Sequence, residues 1–141
     1  MTWMIFAFLS AITAALVAIF GKMGLKGIDP TLATTIRSII MAGFLVIVSF
    51  FLKKFQGFSF KSMDSADWIF IALAGVAGAL SWLFYFLALK GGQATKVVAV
   101  DRLSIVFVVV LAVILLGESL GWKSVVGALL MVSGAILIAL K

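Results

Sequence analysis

Long apolar runs separated by short polar joints dominate this chain. A helix of about 20 apolar residues crosses a hydrocarbon core of about 30 Å. By that measure the pattern predicts helices near residues 2–21, 31–52, 67–89, 94–116 and 122–140. The joints carry matching signals. Gly27 suits a helix C-cap, Asp29 an N-cap and Pro30 a first helical position. Asp64 is placed to cap the third helix, with Asp67 three residues on and Trp68 at interface height. Gly91 and Gly92 close the third helix, and Gly117 closes the fourth. The predicted fold is an all-α membrane protein with five transmembrane helices, a single domain over residues 1–141 without internal repeat. The 53–66 connection, KKFQGFSFKSMDSA, mixes Lys with Phe and is expected on the headgroup layer as an ordinary amphipathic loop.

Composition supports that reading. The chain is 65% hydrophobic and 11% charged, against about 25% charged in soluble domains, which leaves too few charges for a water-facing surface. It holds neither Cys nor His, which excludes disulfides, thiol nucleophiles and the usual zinc sites. No metal, no cofactor and no catalytic constellation is expected, so an enzyme is disfavoured. A net charge of +6 points to nucleic acid in a soluble protein. Here the basic residues mostly flank apolar segments, where anionic lipid headgroups are the available partner, so nucleic acid is not expected. Residues 1–21 carry no charged side chain, so the basic n-region of a cleavable signal is missing and the first span is read as retained.

Lysines at the joints bear on orientation. With five crossings, Lys53, Lys54, Lys61 and Lys123 fall on the N-terminal side and Lys22, Lys26, Lys90, Lys96 and Lys141 on the other, four against five. Orientation normally follows a Lys/Arg excess on the cytoplasmic side. Near balance predicts insertion both ways and an antiparallel pair of copies. If Arg37 and Arg102 snorkel to the second side, the count becomes four against seven, and a single orientation follows instead.

The stretch VVAVDRLSIVFVVVLAVILLGE places Asp101 and Arg102 inside an apolar run. Asp101 lies about 10 Å below the end of its helix at ~1.5 Å rise per residue, and Arg37 and Trp82 reach the same depth on two other helices. Neighbours in a helix do not face each other, so an Arg37–Asp101 pair between helices is expected rather than an Asp101–Arg102 pair. Two readings stand: a structural ion pair with Arg102 snorkelling, or a polar layer lining a solute path, since intramembrane charges default to function. The third helix adds Gly75, Gly78, Trp82, Tyr85 and Leu89 at helical spacing, either a packing stripe or a binding wall with aromatic faces. Ser81 and Ser104 are weaker candidates. In the first helix, Ser10, Thr13 and a set of alanines are explained by packing.

Three segments then carry a family likeness: FGKMGLKGIDPTLATTIRS, SWLFYFLALKGGQATKV and LLGESLGWKSVVGALLMVSGAIL. In their order and spacing the chain resembles the EamA family of the drug/metabolite transporter superfamily over nearly its whole length. Most members of that superfamily are ten-helix chains of two five-helix halves, and this sequence is similar to one half of that inverted-repeat fold. The resemblance implies a secondary transporter of small organic solutes such as metabolites, amino acids or drugs. It would work by alternating access as an antiparallel homodimer in the inner cell membrane. The alternative is an accessory subunit that needs a different five-helix partner chain. The VVGALLMVSGA run resembles the dimerisation helix of the small multidrug resistance proteins, which marks Gly127 and Gly134 as interface candidates. Those relatives carry a glutamate in their first helix and this chain has no acid there, so their proton-for-cation exchange does not carry over. Glu118 matches a Gly-Glu motif common in EamA chains and is read as a cap or surface ion-pair residue. Arg37 and Arg102 are then candidates to receive an anionic group, Trp82 and Tyr85 an apolar body, and Asp101 to tune or couple.

Overall fold

A computed structural model describes residues 2–59 and 63–140. Lys61 and Lys141, which enter the lysine count, and part of the 53–66 connection lie outside the described residues. Among the described residues every regular element is α-helical: α1 (Thr2–Gly24), α2 (Pro30–Phe51), α3 (Ser65–Gly91), α4 (Ala94–Asp101), α5 (Ser104–Leu116) and α6 (Trp122–Ala139). Five stretches are long and apolar enough to cross a membrane, namely α1, α2, α3, α6 and the combined Ala94–Leu116.

The helix ends follow from local chemistry. Asp29 caps α2, its Oδ1 accepting from the N–H groups of Thr31 at 2.9 Å and Leu32 at 3.2 Å. Pro30 fills the first helical position, where a missing N–H costs nothing. These bonds, that from Leu32 foremost, hold the Asp29 carboxyl below the usual carboxylate range. At the start of α3 the N–H of Asp64 donates to Asp67 Oδ2 at 3.1 Å, and Asp64 Oδ1 accepts from the Ser65 N–H. The Asp67 carboxylate thus reaches back to the cap N–H, one half of a capping box. Gly27 does not cap α1, which ends earlier, at Gly24.

The far end of α2 is unusual. The Lys53 N–H donates to the Phe50 carbonyl and the Lys54 N–H to the Ser49 carbonyl, the paired bonds of a Schellman stop. The left-handed position in that motif belongs to Lys53, at φ 54°. Glycine normally stands there, because a Cβ makes the conformation cost about 1 kcal/mol. Gly117, at φ 66°, holds the equivalent position after α5 without that cost. The backbone N–H of Glu118 reaches the Ala112 carbonyl at 3.2 Å, so this residue does take part in closing the helix.

The fourth expected span is two helices, and no Pro or Gly causes the break. Around Arg102 and Leu103 the N–H groups of Leu103, Ile105 and Val106 donate to carbonyls three residues back, at Val100, Arg102 and Leu103. One tight turn thus interrupts the α-helical ladder. Asp101 and Ser104, residues that favour turns and caps over helix interiors, flank it.

The helices gather into two compact units, residues 1–22 with 91–141, and residues 23–90. In the first, α4 and α5 both pack on α6. Its buried side chains are Ala18, Ala99, Ala112 and Ala135, small residues that let backbones approach where lipid gives no hydrophobic drive. Lys22 Nζ donates to the Gly92 carbonyl at 2.8 Å, fixing the end of α1 to the joint before α4. In the second unit α2 and α3 run antiparallel, and Leu25, Pro30, Thr34, Phe86 and Leu89 are buried.

Two outcomes are expected. Asp29→Ala lowers the thermal unfolding temperature, whereas Asp29→Asn retains the cap. Because the folded carboxyl is depressed, its stabilisation is complete above the unfolded value of about 3.9 and fades as pH falls through the lower folded one. Unfolding temperatures measured between pH 3 and 7 should show that loss in wild type and not in Asp29→Asn. Gly117→Ala, forced into the left-handed region, should cost about 1 kcal/mol, while Gly27→Ala, outside that region, should be nearly neutral by the same assay.

Candidate functional site

Within the α2–α3 unit, antiparallel register sets Arg37 opposite Trp82. The guanidinium carbon sits 3.7 Å from the centre of the Trp82 ring and 5.2 Å from that of Phe86. A cation over an indole face is attracted by the ring quadrupole, by about 2 kcal/mol or more where water is excluded. Trp82 stands edge-on to Tyr85, with ring centres 5.5 Å apart, and to Phe86 at 6.2 Å. This aromatic cluster holds the indole plane in place. Arg37 is half-buried, and its Nε is buried without a hydrogen-bond partner. A donor left unspent at such a place costs free energy unless something else accepts from it.

Beside this contact lies a cavity of about 550 Å³. Thr31, Thr34, Thr35 and Ser38 line it from α2, and Val76, Ala79, Leu80 and Leu83 from α3. Thr34 and Ser38 flank Arg37 in sequence, so cation and cavity share one stretch of α2. Three of the hydroxyls donate one turn back along the helix: Thr34 to the Pro30 carbonyl at 2.7 Å, Thr35 to Thr31 at 2.9 Å and Ser38 to Thr34 at 2.8 Å. Their protons are spent on the helix backbone, so these residues add little polar surface and the cavity lining is largely apolar. The arrangement sets one cation beside a largely apolar cavity. It can hold a small molecule with an anionic group and an apolar body.

The remaining sequence candidates fall elsewhere. Asp101 ends α4 and Arg102 occupies the break, both exposed, in the other unit. Within its own unit, Arg37 makes the aromatic contact with Trp82. Ser81 and Ser104 are exposed and Tyr85 is half-buried within the aromatic cluster. Leu89 is fully buried. A Cβ built on Gly75 or Gly78 would meet nothing within 4 Å, and the same holds for Gly127 and Gly134 on α6. Among the described residues, nothing packs closely on these glycines. Phe86 and the hydroxyl ladder were not singled out in the sequence. The signals were present: Phe86 lies one turn beyond Trp82, and Thr34 and Ser38 share a helix face near Arg37.

Five apolar spans define a multi-pass membrane protein. The chain belongs to the EamA-like transporter family, whose family model matches residues 1–140. It is 38% identical over 138 residues to an uncharacterized transporter in the cobO 3' region of a Sinorhizobium species, covering 98% of this chain and 96% of that protein. No solved structure matches it.

A double-mutant cycle measures the central contact. Arg37→Met and Trp82→Leu should each lower stability, and together by less than their sum, with a coupling of about 1 kcal/mol. Unfolding titrations in mixed micelles read this directly, and strict additivity would remove the contact.

Proposed function

We propose that this transporter carries small organic solutes that combine an anionic group, such as a carboxylate, with an apolar body. Arg37 carries the reading: a cation fixed on Trp82, with an unspent Nε donor, beside a largely apolar cavity. A carboxylate accepting from that guanidinium satisfies the buried donor, while the side of the solute rests against α3. Arg102 is a second cation for the same class of group, and Asp101 a coupling or tuning residue.

Transport follows by alternating access in an antiparallel homodimer within the inner cell membrane. Several observations support a second copy. The break between α4 and α5 exposes Asp101, Arg102 and Ser104 at membrane depth. Irregular backbone and charge there are tolerated only against protein or an aqueous cavity. Gly127 and Gly134 leave α6 a face onto which another helix can close, and the near-balanced lysine count fits insertion in both orientations. A different five-helix chain could cover the same surface, which is the accessory-subunit alternative.

Purified protein alone, reconstituted in liposomes, tests the reading with 3-phenylpropionate and phenethylamine as matched probes. Saturable uptake of the carboxylate and not of the amine is expected, and Arg37→Gln should abolish it while Arg37→Lys retains part. Uptake that appears only after a second membrane protein is added would favour the accessory subunit. Gly127→Leu and Gly134→Leu should weaken cross-linked dimers more than Gly43→Leu on α2. Equal cross-linking in all three removes α6 from the interface.

A further inference from the structure

The left-handed Lys53 is the one non-glycine residue with positive φ among the described residues. Glycine would relieve the backbone there, so the lysine side chain must contribute something that glycine cannot. A second observation stands beside it. A cavity of about 370 Å³ is lined by Phe50, Phe51, Lys53, Phe55 and Gln56. Phe50 and Phe51 meet edge to face, with ring centres 6.4 Å apart, and they are 74% and 78% exposed. Three aromatic side chains therefore form an apolar wall whose rim carries a cation and an amide.

Position decides what such a cavity holds. It opens where a membrane span ends, at the boundary between acyl chains and headgroups. Residues 53–59 include Lys53 and Lys54 and no acid. The left-handed turn brings Lys53 into the wall beside the rings instead of letting it continue the helix axis. We infer that this turn is a discrete site for one anionic phospholipid. Its phosphate lies against the Lys53 ammonium, with Lys54 adding charge, and its upper acyl chain packs on Phe50, Phe51 and Phe55. A basic residue near an anionic leaflet favours such a lipid, and the aromatic cradle makes the contact local rather than diffuse. This goes beyond the solute site and does not depend on it.

Lys53→Gly separates the two explanations because they predict opposite signs. The full-length protein is purified in zwitterionic detergent, and its unfolding temperature is measured with added phosphatidylglycerol, phosphatidylcholine or inorganic phosphate. Native mass spectrometry counts the lipid retained. In phosphatidylcholine the variant should unfold at a higher temperature than wild type, since the backbone is relieved. With phosphatidylglycerol, wild type should gain stability and retain one lipid, whereas Lys53→Gly should retain it about fivefold less, the effect of one lysine at the surface. Phe55→Ala should also weaken retention without the backbone gain. Equal retention by wild type and Lys53→Gly overturns the site. So does equal stabilisation of wild type by the two lipids. A shift reproduced by inorganic phosphate would mean a bare anion site and would equally overturn a lipid.

Discussion

In hydrocarbon a guanidinium has no water to surround it, and in this chain an indole face takes part of water's place. An arginine at the centre of a membrane helix costs roughly 2.5–3.5 kcal/mol on insertion scales. A cation–π contact in a desolvated setting returns a large share of that. It does so without using the guanidinium's hydrogen-bond donors, which project from the ring plane's edge. The charge is thereby made tolerable and stays chemically available. An ion pair with an acid on another helix would have stabilised the charge equally well, but it would have occupied the donors that a solute needs. The aromatic cluster on α3 has a corresponding role as the rigid backing that keeps the guanidinium flat against it.

The same solvent argument explains the rest of the surface. Lipid gives apolar side chains no reason to turn inward, so the large hydrophobics of every span face outward without penalty. What must be covered is polar. The turn between α4 and α5 holds an acid, a base and a hydroxyl together with carbonyls that lack regular helical partners. Small side chains within the first unit bring its own helices together.

Length and apolarity made the five spans legible in the sequence, and residue counting from the joints was enough to place Arg37 and Trp82 at one depth on antiparallel helices. Asp29, Pro30 and Gly117 were readable because each has one dominant structural use. The break at Arg102 was not. Helix interruptions are usually marked by Pro or Gly, and VVAVDRLSIVFVVV has neither; Asp101 and Ser104, which favour turns over helix interiors, are its only local signal. Lys53 was equally hidden, since nothing in lysine's own preferences announces a left-handed residue. The hydroxyl ladder was overlooked because Thr and Ser in a membrane helix bond their own backbone, and that habit made TLATTIRS look structurally ordinary.

The bond from Lys22 to Gly92 has a consequence in time. Its partners are 70 residues apart, and the intervening segment contains the whole of the α2–α3 unit. At the usual synthesis rate of about 5–20 residues per second, Gly92 emerges roughly 4–14 s after Lys22. The hairpin of α2 and α3 is contiguous in the chain and complete before that bond can form. The end of α1 therefore stays without that carbonyl until α2 and α3 have both been made.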